Sequence, residues 1–276
     1  MLSSPLAKTG RQRGTPRGLI ALSVVPSLFL IGPLVALAWR TLPSGRWLEA
    51  LASPVVGQAL GLSLTTTLGS LALVIALGTP MAYLMARYNF PGRRVLDTLV
   101  DLPMVLPPAV AGLSLLLLFG RNGLLGPVLS GAGMEVAFST TAVLLAQAFV
   151  AGPFYIRSAR AGFESVDPQL ERVAATLGES NTRIFWRVTI PLALPSLLSG
   201  AIMTWARALG EFGATIMFAG NFPGRTQTMP LAVYMAMESD LWAALTLAML
   251  LVVLSVAALV VLRAATRTLG GPIHGN

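Results

Sequence analysis

Six mostly apolar stretches recur along the chain, at roughly 19–39, 58–84, 99–119, 137–156, 192–218 and 241–262, separated by shorter polar segments. A helix needs about 20 such residues to cross the hydrocarbon core of a bilayer. The pattern therefore predicts an all-α polytopic membrane protein with six transmembrane helices. Several stretches exceed the minimum length, which tilt or a broken helix can absorb. Pro26, Pro33, Pro103, Pro107, Pro108, Pro153, Pro191 and Pro195 fall inside these stretches or at their ends. Each frees a backbone carbonyl, tolerated in a membrane where neighbouring helices or a water-filled cavity satisfy it, so kinked helices around a pathway are expected.

Composition agrees with the pattern. Of the 276 residues, 55% are hydrophobic and only 11% charged, with a mean hydropathy of +0.75. A soluble globule carries about 25% charged residues. There is no cysteine, and the single histidine, His274, sits beside the C-terminus. That inventory leaves no basis for a disulfide framework, a thiolate metal site or histidine-dependent acid/base chemistry. The net charge of +8 is ambiguous until the 19 basic residues are placed. With the N-terminus inside, fourteen fall on the cytoplasmic side, four (Arg40, Arg46, Arg121 and Arg225) fall outside, and Arg207 lies within the fifth span. Cytoplasmic loops carry the Lys/Arg excess, so both termini are expected to be cytoplasmic, with a basic tail over 1–18 and a second tail over 265–276. The distribution removes the need for a nucleic-acid partner. Lys8 to Arg17 followed by an apolar run and Ala36-Leu37-Ala38 imitates a secretory signal. An apolar run of 19–39 exceeds the usual signal core of about 7–15 residues, so an uncleaved first span is expected.

The polar segment 157–190 stands apart. Asp167 is a good helix N-cap and Pro168 suits the first helical position. Leu170, Val173, Ala174 and Leu177 then recur at i, i+3, i+4 and i+7, an apolar stripe on one helix face. Gly178 ends the helix. Asn181 or Thr182 is placed to cap a second short helix that carries Ile184, Phe185 and Val188 up to Pro191. Such a stripe covers itself on lipid headgroups or on a protein. Headgroup-binding helices have a strongly basic polar face, whereas here five Arg are mixed with Glu164, Asp167, Glu171 and Glu179, a balance that favours docking on a protein.

The run Leu170-Glu171-Arg172-Val173-Ala174-Ala175-Thr176-Leu177-Gly178-Glu179-Ser180, with Phe185-Trp186-Arg187-Val188-Thr189-Ile190-Pro191 after it, resembles the EAA loop of ABC importer permeases. The departure is at Arg172, where the family has a glutamate, and at Val173 and Ala174, where two alanines usually stand. Glu171 is adjacent, but one residue is about 100° of helix rotation, so a salt bridge made by the family's glutamate is not carried over. Further on, Arg207-Ala208-Leu209-Gly210-Glu211-Phe212-Gly213-Ala214-Thr215, Thr226-Gln227-Thr228-Met229-Pro230, and upstream Leu102-Pro103-Met104-Val105-Leu106-Pro107-Pro108 and Phe119-Gly120-Arg121-Asn122-Gly123, look like the molybdate branch of these permeases, whose relatives take sulfate and tungstate. The resemblance covers about 56–264. It implies a type I importer (MetI-like) transmembrane domain in a bacterial cell membrane. It also implies that Leu170, Glu171, Arg172, Val173, Ala174, Leu177 and Gly178 form a coupling helix seated on a separate ATPase subunit. Two ATPase copies offer two grooves, so a homodimer of this chain is expected, surrounded by membrane lipid and served by an extracytoplasmic binding protein that delivers an oxyanion. No cofactor is expected in the chain itself, which has no phosphate-binding loop of the form Gly-x-x-x-x-Gly-Lys-Ser/Thr. ATP would be bound by the partner, and the chain would be a transport subunit with no catalytic or metal-ligating residues.

Arg207 and Glu211 are i, i+4 in the fifth span, and charge within a membrane is a functional candidate. Two readings stand: Arg207 draws a dianion along a wet path, or the pair neutralises itself and locks the span. Thr66, beside Thr65 and Thr67, and Ser139, beside Thr140 and Thr141, are candidate path-lining hydroxyls, although hydroxyls also bond between helices. Gly57, Gly61 and Gly69 are expected at close helix contacts, and Pro107-Pro108 at a kink. Arg121, Asn122, Arg225 and Gln227 are loop positions that a binding protein could meet. An ion-coupled secondary transporter would place carboxylates near the midplane at repeat interfaces. Glu211 is the only acidic residue well inside a span, and no repeat is evident.

Overall fold

The computed structural model describes the backbone of residues 17–269 and the side chains of residues 22–264. The basic tail expected at 1–18 lies almost wholly outside the described residues, as does most of the tail expected at 265–276. Among the described residues every regular element is helical. In chain order they are α1 (Arg17–Thr41), a 3₁₀ turn (Leu42–Ser44), α2 (Arg46–Leu51), α3 (Pro54–Arg87), α4 (Arg93–Val105), α5 (Pro108–Phe119), α6 (Gly126–Gly131), α7 (Thr140–Ser165), α8 (Pro168–Thr176), α9 (Asn181–Ile184), a π turn (Phe185–Thr189), α10 (Ile190–Leu209), α11 (Gly213–Ala219), α12 (Met229–Ser239) and α13 (Leu241–Leu269).

Among the described residues five helices are long and apolar enough to span a membrane, and the bent pair α4 and α5 makes a sixth if counted as one span. The kink expected at Pro107-Pro108 within the 99–119 stretch is present and sharp: the axis turns through 118° between Val105 and Pro108. Consecutive prolines cause the turn. A residue before proline is pushed out of the helical region, and both Leu106 (ψ 135°) and Pro107 (ψ 132°) are extended. The span expected at 192–218 is also interrupted, since helix α10 stops at Leu209 and α11 begins at Gly213. At the other end α7 continues through Ser165, so the first nine residues of the polar segment 157–190 extend a spanning helix.

The bundle is organised around α3, α7 and α10. Small residues permit their approach, as is usual where lipid removes any hydrophobic preference for helix pairing. A Cβ on Gly200 would lie 2.7 Å from Ser158 Cβ, and one on Gly162 would lie 2.6 Å from Ser196 Cβ. Gly69 is likewise pressed by Leu144, whereas Gly57 and Gly61, expected at close contacts, face open space in the chain. Tyr155, Phe163, Val166, Ala193 and Leu197 fill the core between α3, α7 and α10. A second core joins α5, α7 and α11 through Ala111, Val143, Ala214 and Phe218. A third joins α3, α12 and α13 through Val56, Met229, Ala232 and Leu247. Helix α1 packs on α13 and on the 3₁₀ turn, and most of its described side chains are exposed, Phe29 and Trp39 to 77% and 80%.

Candidate functional site

The segment after α7 folds as its sequence dictates. Asp167 is extended and its Oδ1 accepts the Gln169 amide at 2.9 Å, with Pro168 leading α8. Gly178 has φ +88°, a conformation that glycine adopts without strain, and the Gly178 amide bonds back to Ala175 O at 3.0 Å. The second short helix starts one residue earlier than expected: Ser180 occupies the cap position and makes no side-chain cap bond. Among the described residues the stripe on α8 stays largely uncovered, with Leu170, Val173 and Leu177 48%, 57% and 79% exposed. Ala174 is half-buried, and Arg172 is exposed.

Glu171 turns the other way, as a rotation of about 100° from Arg172 requires. Its Oε1 accepts from Arg87 Nη2 at 2.9 Å and from Thr189 Oγ1 at 2.7 Å. Arg87, the last residue of α3, also donates to Val166 O at 3.1 Å. Beside this cluster, acidic residues on α4 and α7 neutralise several arginines: Arg160 pairs with Asp97 and with Glu164 (2.9 Å), Arg93 with Glu164 (3.4 Å), and Arg157 with Asp101 (3.7 Å). Arg87 and Thr189 carry no local signal in the sequence. They become visible only when the helices are packed.

Inside the bundle, Arg207 and Glu211 do meet, with Arg207 Nη1 2.7 Å from Glu211 Oε2. Glu211 is 1% exposed and sits in the break between α10 and α11, where its Oε1 accepts the Ala214 amide at 2.9 Å. The carboxylate therefore serves the N-terminal turn of α11, where negative charge is favoured. Thr66 donates to Leu62 O at 2.8 Å on its own helix. Ser139 caps α7, its Oγ accepting the Ala142 amide at 3.3 Å. Neither hydroxyl is brought beside the Arg207 pair. Thr67 instead links helices, accepting from Trp205 Nε1 at 3.1 Å. Of the loop positions expected to meet a binding protein, Arg121, Asn122 and Arg225 are exposed but Gln227 is buried. The reason is that Thr226 Oγ1 accepts the Phe222 amide and the Met229 amide bonds Ser63 Oγ at 2.7 Å, which folds this loop into the bundle.

A bundle of this shape, with a short exposed amphipathic helix between its fourth and fifth spans, is the transmembrane domain of an ABC importer. The solved bacterial alginate ABC transporter, in complex with a periplasmic protein carrying an alginate pentasaccharide, has a chain of the same fold, with TM-score 0.67 at 16% identity over 92% of this chain and 95% of that one. Residues 78–269 match the family model described as the binding-protein-dependent transport system inner membrane component, and the chain belongs to that family. It is 44% identical, over 92% of its length and 95% of the relative's, to the molybdenum transport system permease protein ModB of Mycobacterium tuberculosis. It is 37% identical, over 79% of its length and 77% of the relative's, to the sulfate transport system permease protein CysW of Synechococcus elongatus. The chain is thus a multi-pass membrane permease subunit and not itself an enzyme; hydrolysis of ATP falls to a partner subunit.

Proposed function

We propose that this permease carries molybdate across a bacterial cell membrane, inward, as one of two copies in a complex with two ATPase subunits and an extracytoplasmic binding protein. The observation that carries the anion assignment is 44% identity to a molybdenum permease along nearly the whole of both chains. A second reading, sulfate or tungstate, draws on the sulfate permease relative at 37% identity. Both termini lie in the cytoplasm, in keeping with fourteen basic residues on that side against four outside.

Leu170, Val173 and Leu177 seat α8 in a groove of the ATPase, with Ala174 beneath them and Gly178 ending the helix. Their exposure supports this, since a row of large apolar side chains beside charged ones is unfavourable in water. Arg172 stands exposed on the flank of α8 beyond Val173, from which its long side chain can reach an acidic group of the ATPase. ATP, held by the partner and by no site in this chain, closes two ATPase subunits. That closure draws the two α8 helices together and turns the bundle outward to receive the anion, and hydrolysis resets it. The second copy is supported by the exposed side chains of α1, whose apolar surface suits a neighbouring chain as well as lipid. Arg207 and Glu211 lock the break between α10 and α11. Arg207 is held by Glu211 and so does not trap the dianion, which a permease must release. Thr66 and Ser139 serve the stability of their own helices, α3 and α7.

The test is uptake of labelled molybdate by cells that lack their own molybdate permease and express the complete complex. Uptake that excess tungstate suppresses and equal sulfate does not is expected. Suppression by sulfate with no preference for molybdate would assign the chain to sulfate.

A further inference from the structure

We infer that Glu171 is a positioning residue that transmits displacement of α8 to α3 and α10, an inference that rests on the docking of α8 to an ATPase proposed above. Helix α8 is a poor lever on its own. It packs on α9 and the π turn and makes at most slight contact with other elements. Both of its ends are breaks in helical geometry, the extended pair Val166 and Asp167 before it and the left-handed Gly178 after it. A force on its outer face would swivel it about those breaks and leave the spans at rest.

Glu171 removes that freedom. One carboxylate oxygen accepts from Arg87, the end of α3, and from Thr189, the last residue of the π turn that leads into α10. Arg87 holds Val166 O as well, which fixes the joint between α7 and α8. The side chains of Arg87 and Glu171 are 12% and 19% exposed and Thr189 is fully buried. Charge-assisted bonds in such a setting are short, strong and little screened by salt. The receiving element is also suited to movement, because π turns are weakly bonded insertions that concentrate at functional sites. Glu171 lies about 100° round α8 from Leu170, so the exposed residues Leu170 and Val173 can be pushed while the carboxylate pulls on α3 and the π turn.

The experiment uses the full complex with its ATPase and binding protein in proteoliposomes, and reads molybdate transported per ATP hydrolysed alongside co-purification of the ATPase. Glu171→Gln weakens the pull of Arg87. Thr189→Val removes one donor from a site fully buried within the chain, so it tests transmission even if the Glu171 variant folds poorly. Both are expected to bind the ATPase as wild type does while transport per ATP falls several-fold. Arg87→Lys, which keeps the charge, is expected to retain more of it than Arg87→Gln. Wild-type transport per ATP in both the Glu171 and Thr189 variants would overturn the inference, as would loss of the ATPase from the Thr189 variant. If the wild-type complex itself showed no molybdate transport with hydrolysis, the proposed function would fail instead, and the two failures are distinguishable.

Discussion

Single carboxylates set the local structure at two places where the chain departs from a straight span. Glu211 is buried at a break, bonded to an amide of the next helix and to Arg207. Replacing it by alanine leaves the Ala214 amide and the Arg207 guanidinium without their acceptor. A lost charged hydrogen bond of this kind costs about 1.5–3 kcal/mol. Glu211→Ala is therefore expected to lower the thermal midpoint of the detergent-solubilised permease, and Glu211→Gln, which can still accept the amide, to lower it less. Arg207→Gln is expected to reduce stability more than transport per assembled complex. Unchanged stability together with lost transport would assign Arg207 to the path of the anion instead. Glu171 shows the limit of reading residues from sequence. Its neighbourhood in the chain signalled a helix with an apolar face, but its partners lie 84 and 18 residues away, and nothing at positions 87 or 189 marks them as its mates.

At the scale of elements, features governed by neighbours in the chain were legible. The Asp167-Pro168 start, the Gly178 stop and the α8 stripe all follow local rules, and the structure carries each of them. The direction of a break is different. Pro107-Pro108 implied a kink, but a bend of 118° depends on what α5 packs against, here α11. The break at Gly210 to Phe212 was hidden because its flanks are apolar on both sides and read as one continuous span. Since Leu170, Val173 and Leu177 are exposed among the described residues, disrupting this face should leave the fold intact. Leu177→Glu, at a side chain 79% exposed, is expected to keep the thermal midpoint of the isolated permease and abolish co-purification of the ATPase. A drop in the midpoint with the ATPase still bound would mean that the stripe packs within the permease.

The whole molecule is defined by which end faces which compartment and by what covers α1. Hydropathy marked the number of spans, and the basic residues supplied a direction. The chain contains no cysteine, so single-cysteine variants report cleanly on both questions. With intact spheroplasts and a membrane-impermeant maleimide, Arg121→Cys is expected to label and Arg94→Cys to label only after the membrane is opened. The reverse pattern would invert the topology. Cysteine at Trp39, 80% exposed on α1, is expected to cross-link to a second copy in the membrane. Monomers alone after cross-linking would leave α1 to lipid.

The proposed function couples oxyanion entry through this bundle to ATP hydrolysis by a partner. The most direct test is the ATPase rate of the reconstituted complex, with its binding protein, in the presence of molybdate, tungstate or sulfate. Stimulation that requires both the permease and the binding protein, and that is strongest with molybdate, is the expected result. Molybdate entering proteoliposomes down an ion gradient with no ATPase present would contradict it.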